Sequence, residues 1–118
     1  MKNIFVANYD IHKMSGLEEL KKEYNIVILT QGMVDVFSTD RLRYNIETAM
    51  VANGMNSGDY VLLSGSSVIV SIVTAVILKH TKTLNLIIYG SKDKRYHFRD
   101  DVLTIIEDKQ TEIKFMEE

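Results

Sequence analysis

The uncharged run from Tyr60 to Leu78 restricts the fold of this chain more than any other segment. Its length is close to that of a membrane-spanning helix, but Ser64-Gly65-Ser66-Ser67 interrupts it. The part before the interruption is short and rich in β-branched residues and leucine, whereas the part after it has the length of a helix. We therefore predict a buried strand over residues 60–63, a tight turn, and an apolar helix from Ser66 to about Lys79.

The rest of the chain alternates strand-like and helix-like patterns. Alternating strands and helices favour a mostly parallel sheet flanked by helices, with right-handed crossovers. We predict an α/β fold in which residues 1–118 form a single three-layer Rossmann-like domain with a C-terminal antiparallel hairpin. The further predicted strands are residues 3–8, 25–30, 84–89 and 95–99, with a short extra strand at 33–37. A short helix is predicted over residues 16–24, and a longer one runs from an N-cap at Ser38, Thr39 or Asp40 to about Ala52. Residues 102–106 and 111–116 fit either strands or a docking arm.

Composition excludes several classes of function. The chain of 118 residues is large enough for one hydrophobic core. It contains no cysteine, which removes disulfides, thiolate zinc sites and cysteine nucleophiles. The formal net charge of -2 argues against a nucleic-acid partner. His12, His80 and His97 are too dispersed for a metal motif, so we expect neither a metal nor a cofactor. The N-terminus lacks the pattern of a secretory signal, which predicts a cytoplasmic protein.

The carboxyl ends of the predicted parallel strands form the candidate site, because ligands of such sheets bind at that edge. The turn amides and serine hydroxyls could hold a phosphate, Tyr9 could stack on a base, and Asp10 could accept from a ribose hydroxyl. Ser-Gly-Ser-Ser matches neither a dinucleotide fingerprint nor a triphosphate-binding loop. The predicted ligand-binding residues at this edge are Asn8, Tyr9, Asp10, Thr30, Gln31, Ser64, Gly65, Ser66 and Ser67.

Each candidate also has a simpler explanation. The Ser64–Ser67 turn could serve only as a helix cap, and Asp10 with His12 could be a turn residue and a solvated side chain. Arg95 and Arg99 are predicted to bring positive charge to the ligand, yet basic residues also commonly protect an exposed edge strand.

The run from Gly58 to Ser66, the apolar helix after it, the strand Leu84 to Tyr89, and Tyr96-His97-Phe98-Arg99 resemble small phage-encoded α/β proteins of uncharacterised function. The resemblance implies a viral origin and action in the cytoplasm of an infected bacterium. It supplies no activity and no catalytic residue.

Two functions are open at this stage. The first is non-enzymatic binding of a nucleotide-like, phosphate-bearing small molecule, which in a phage would be counter-defence by sequestering a host immune signal. The alternative is a homo-oligomeric interaction protein that binds a host or phage protein without a small ligand. An enzyme is not favoured, because no general base is placed beside a nucleophile.

Overall fold

The computed structural model describes residues 1–106, which form an α/β domain with one five-stranded mixed sheet. The strands lie in the order β2-β1-β3-β4-β5. Strand β1 pairs in parallel with β2 and β3, β3 pairs in parallel with β4, and β5 is antiparallel to β4. The elements are β1 (Lys2–Val6), α1 (Leu17–Leu20), β2 (Tyr24–Ile28), α2 (Thr39–Ala52), β3 (Tyr60–Leu62), α3 (Ser67–Thr81), β4 (Thr83–Gly90) and β5 (Arg95–Thr104). The four predicted core strands, the strand-turn-helix at residues 60–79 and the C-terminal hairpin are confirmed.

One face of the sheet packs against α2 and α3. Strands β1 and β3 contribute the fully buried Phe5 and Val61. The buried residues of α2 recur every four positions, which places them in one stripe facing the sheet. Helix α3 is buried more broadly and adds the largest share of this core. The buried helix residues are Leu42, Ile46 and Met50 of α2 and Ile69, Val73, Val76 and Ile77 of α3.

The opposite face is covered more thinly, because α1 is a single turn. Ile4 and Val6 of β1 pack there with Leu17 of α1. An aromatic cluster closes the rest: the Tyr60 ring centroid lies 5.0 Å from that of Phe98. The Tyr60 hydroxyl donates a 2.5 Å hydrogen bond to Asp100 Oδ1. This hydrogen bond, together with burial, raises the pKa of Tyr60 to about 12.

A buried polar network joins the amino ends of the strands. The Asp59 carboxylate is 1% exposed and accepts from the backbone N–H of Asn3 and from that of Asn56, each at 2.9 Å. The Asn85 side-chain amide donates to the backbone carbonyl of Asp59 at 3.0 Å. Because buried polar groups are costly when unpaired, this network fixes the loop before β3 against β1 and β4.

Two sequence predictions are wrong in part. Residues 33–37 form a loop and not a strand: Val34 and Val36 pack against the core, as alternation suggested, but a turn centred on the Asp35 carboxylate holds the segment. A hydrogen bond from the backbone N–H of Phe37 lowers the pKa of Asp35. The helix predicted over residues 16–24 is only the turn Leu17–Leu20, because β2 already begins at Tyr24.

The C-terminal region was left open between strand and docking arm. Residues 102–104 belong to β5, which is longer than predicted, and residues 111–116 lie outside the described part of the chain. Within residues 1–106, no helix is both long enough and apolar enough to cross a membrane.

Candidate functional site

The order in which successive strands are added to the sheet reverses at β1. Strand β2 lies on one side of β1 and β3 on the other. The connections on either side of such a point leave toward opposite faces of the sheet, so a crevice opens between the carboxyl ends of the two strands. The candidate site therefore lies where β1 and β3 end.

Asn8 connects the loops that follow β1, β2 and β3. Its backbone N–H donates to Ser64 Oγ at 3.1 Å, and Ser64 Oγ donates in turn to the Asn8 carbonyl at 2.6 Å. The Asn8 side-chain amide donates to the Gly32 carbonyl at 3.0 Å. Asn8 Oδ1 is buried and accepts no hydrogen bond from residues 1–106. Asn8 thus holds the three loops together at the crevice.

Gly65 makes the close approach of the two loops possible. Its φ of 94° lies in the left-handed region, which favours glycine. A Cβ atom added at Gly65 would lie 2.7 Å from the Cβ of Asn8. Any larger residue would therefore distort the turn, so Gly65→Val would not be a selective probe of ligand binding.

The amino end of α3 opens directly from this turn. Ser66 is the N-cap, and its Oγ accepts from the Ile69 N–H at 3.3 Å. The first intrahelical hydrogen bond runs from Val70 N to the Ser66 carbonyl. Among residues 1–106, nothing accepts from the N–H groups of Ser67 and Val68. Such free amides, together with the positive end of the helix dipole, favour an anion. Ser66 thus provides the helix cap that is the simpler explanation of the Ser64–Ser67 turn.

A cleft of about 290 Å³ adjoins the turn on the face covered by α1. Ser64 lines this cleft together with Lys13 and Tyr89, neither of which the sequence analysis selected. Tyr89 could have been found from the sequence, because it stands at the carboxyl end of a parallel strand just as the other candidates do. Lys13 could not, because a turn closed by Lys13 N and the Asp10 carbonyl carries it back toward the sheet.

Hydroxyl contacts fix the wall of the cleft. Ser15 Oγ and Tyr89 Oη lie 2.8 Å apart, and the Tyr96 hydroxyl donates to the Ser15 carbonyl at 3.0 Å. Burial raises the pKa of Tyr96 to about 12, so this hydroxyl stays protonated at neutral pH. The loop that carries Lys13 is thereby tied to β4 and β5.

The predicted residues after β2 lie on the other side of Asn8. The Tyr9 N–H donates to the Thr30 carbonyl at 2.9 Å, and Tyr9 forms a parallel bridge with Gln31. The Thr30 hydroxyl donates to the Ala7 carbonyl at 2.6 Å and so holds the strand ends together. Asp10 Oδ1 accepts from the His12 N–H at 2.9 Å, which matches the simpler interpretation of this pair as a turn.

Arg95 and Arg99 lie farther away, on β5. Strand β4 separates β5 from β3. Arg95 is paired with Gly90 at the carboxyl end of β4, whereas Arg99 is paired with Leu86 in the middle of that strand. The two arginines are thus at different heights on the sheet and are not neighbours of the Ser64–Ser67 turn.

Comparison of the chain with protein-family models, with curated proteins and with solved structures finds no match. No group of three or more histidine, aspartate or glutamate side chains placed to hold a metal ion occurs in the described part of the chain.

Proposed function

We propose that the crevice between β1 and β3 binds a nucleotide-like, phosphate-bearing small molecule without converting it. The observation that supports this most is the pair of free amides at Ser67 and Val68, which follow a turn that Asn8 and Gly65 hold rigidly. A preformed turn reduces the entropy lost when a ligand binds. The free amides are donors suited to a phosphate oxygen.

The rest of the ligand would extend from the turn into the adjoining cleft. Lys13 is the one charged residue among the described residues that line this cleft, and its ammonium group could pair with the phosphate. The ring of Tyr89 offers a surface for a base. Tyr89 suits this role better than Tyr9, because Tyr9 packs partly into the core beside α1.

We infer a wider setting from the strand order and the phage resemblance. The order β2-β1-β3-β4, with helices on both faces, supports a three-layer Rossmann-like domain. In the cytoplasm of an infected bacterium, a binder of this kind would act in counter-defence by sequestering a host immune nucleotide. Mass spectrometry of small molecules released when the purified protein is denatured would identify the ligand.

The test of binding at the turn removes one amide and leaves the fold intact. Ser67 is the first residue of α3, a position where proline is tolerated. Ser66 has ψ 158°, an extended conformation that a following proline permits. We expect Ser67→Pro to weaken binding of the best ligand in a calorimetric panel of linear and cyclic nucleotides. The loss of one hydrogen bond to a charged group corresponds to roughly 10- to 150-fold in Kd.

Ser67→Ala is the matched control, because it removes the hydroxyl and keeps the amide. We expect Ser67→Ala to change Kd much less than Ser67→Pro does. Equal affinities for the two variants would place the ligand away from this amide.

A second candidate function is supported by exposed apolar side chains at the same edge of the sheet. Met33 and Phe37 in the loop after β2 are almost entirely exposed, at 102% and 92%, and Ile11 in the loop after β1 is 68% exposed. Contiguous exposed apolar surface is typical of interaction sites, and a partner that covers these loops would bury all three side chains. If no nucleotide in the panel binds, an interaction protein with a purely structural Ser-Gly turn becomes the better interpretation.

A further inference from the structure

We propose that the outer face of α2 and α3 binds a second copy of this chain, with the two α3 helices packed antiparallel about a twofold axis. The surface runs along the helices and meets the candidate ligand site only at Ser67 and Val68, at the amino end of α3.

A continuous groove runs along the two helices. Three adjoining depressions of about 360, 250 and 490 Å³ follow one another from the amino to the carboxyl ends of α2 and α3. The first two share Arg43, Ser71 and Ile72, and the second and third share Glu47 and Lys79. The shared residues show that the depressions form one groove.

The α3 side of the groove consists of small exposed residues. Ser67, Ser71 and Ala75 are spaced four residues apart and therefore lie in one row on the helix. Partly buried Val68 and Ile72 lie beside this row. Small side chains allow a second helix to approach closely, and the neighbouring apolar side chains would lose water contact on packing.

The charges at the two ends of the groove favour an antiparallel partner. Asp40 lines the end beside Ser67 and is followed toward the middle by Arg43, whereas Lys79 and His80 line the opposite end around Glu47. In an antiparallel pair, Lys79 of each copy meets Asp40 of the other, and both contacts form at once. A parallel pair would bring like charges together. Opposed helix dipoles favour the same arrangement.

Ion pairs within the chain hold the basic side chains of the groove in place. Lys79 Nζ lies 3.0 Å and His80 Nε2 lies 2.7 Å from Glu47 Oε2. The hydrogen bond with His80, followed by that from Lys79, lowers the pKa of Glu47 to about 2. Arg43 Nη1 lies 3.0 Å from Glu47 Oε1. These contacts hold the basic side chains along the groove. They therefore reduce the conformational entropy that those side chains would lose when a partner binds.

Sedimentation equilibrium over a range of concentrations tests the association. We expect the wild-type chain to reach twice its monomer mass of 13.5 kDa. Ser71→Arg places a long cation in the middle of the groove and should give a monomer at concentrations where the wild type is a dimer. Asn45→Arg is the matched control, because Asn45 is exposed on α2 but lines a different depression, and it should remain a dimer. A wild-type monomer at all concentrations, or a dimeric Ser71→Arg, would overturn the proposal.

Disulfide trapping tests the direction of the helices, and it does not depend on Ser71→Arg folding. The chain has no cysteine, so each introduced thiol is unique. If Lys79 faces Ser67 of the other copy, then Ser71 faces Ala75. Oxidising a mixture of Ser71→Cys and Ala75→Cys chains should give the mixed disulfide. Ser67→Cys alone should stay reduced, because the two copies of residue 67 would be about 18 Å apart along the helices. Rapid crosslinking of Ser67→Cys would indicate a parallel pair and refute the proposed geometry.

Discussion

The approach of Gly65 to Asn8 gives the sharpest prediction for the candidate site. In Gly65→Ala the new methyl group would begin 2.7 Å from the Cβ of Asn8, at a φ of 94°. The backbone conformation alone costs an alanine about 1–2 kcal/mol, and overpacking of this kind costs about 1–3 kcal/mol more. We therefore expect Gly65→Ala to be among the most destabilising single-methyl changes in the chain.

Gly54→Ala separates the cost of the backbone conformation from the cost of overpacking. Gly54 has a similar positive φ of 69°, but no heavy atom of the described residues lies within 4 Å of the position of its missing Cβ. It should therefore show the backbone cost without the contact. A chain of this size loses about 4 °C of Tm for each kcal/mol. Thermal unfolding followed by circular dichroism should place Gly65→Ala about 4–12 °C below Gly54→Ala. Equal Tm values for the two variants would refute the close contact that shapes the crevice.

Three further predictions concern stability and charge. Asp59→Ala should lower the free energy of unfolding by roughly 2–4 kcal/mol in urea, because it leaves buried N–H donors unpaired, whereas Asp59→Asn keeps an acceptor and should cost less. The pKa of Glu47 is lowered in the folded state, so the stability from this group is complete above its ordinary value of 4.5 and is lost as the pH falls toward about 2. In Glu47→Gln, the urea midpoint should vary less with pH between 4.5 and about 2 than it does in the wild type. Replacing Arg95 and Arg99 by glutamine should weaken nucleotide binding only at low salt, because strand β4 separates them from the turn.

Each of these three has an outcome that would contradict it. Equal stability of Asp59→Ala and the wild type would mean that the polar network at the amino edge contributes nothing. An unchanged acid profile for Glu47→Gln would mean that the ion pairs around Glu47 are not formed in solution. A loss of affinity in the arginine double variant that persists at high salt would assign Arg95 or Arg99 a direct ligand contact.

The sequence predicts the core of this fold well, because long apolar runs and helical spacing report burial directly. The stripe at Leu42, Ile46 and Met50 illustrates this. Prediction failed at residues 33–37, where the alternating pattern was real but the segment pairs with none of the described strands. A local carboxylate turn at Asp35 decided its conformation instead.

The candidate site was only partly predictable for a related reason. The rule that strand ends converge brought together Asn8, Ser64 and Gly65, which are in contact. Arg95 and Arg99 were predicted from their charge and from alternation along an edge hairpin, and that pattern does not report that β4 separates them from β3. The contribution of Lys13 depends on a turn whose direction is set by tertiary contacts, and no local pattern reports such contacts.

Nuclear magnetic resonance tests most directly whether the amino end of α3 binds a phosphate-bearing ligand. A ¹⁵N-labelled chain would be titrated with linear and cyclic adenosine and guanosine monophosphates while every assigned backbone amide is followed. We expect saturable shifts that are largest at Ser67 and Val68, together with smaller shifts around Lys13 and Tyr89. Absence of saturable shifts with every nucleotide, or shifts confined to the β4–β5 hairpin, would contradict it.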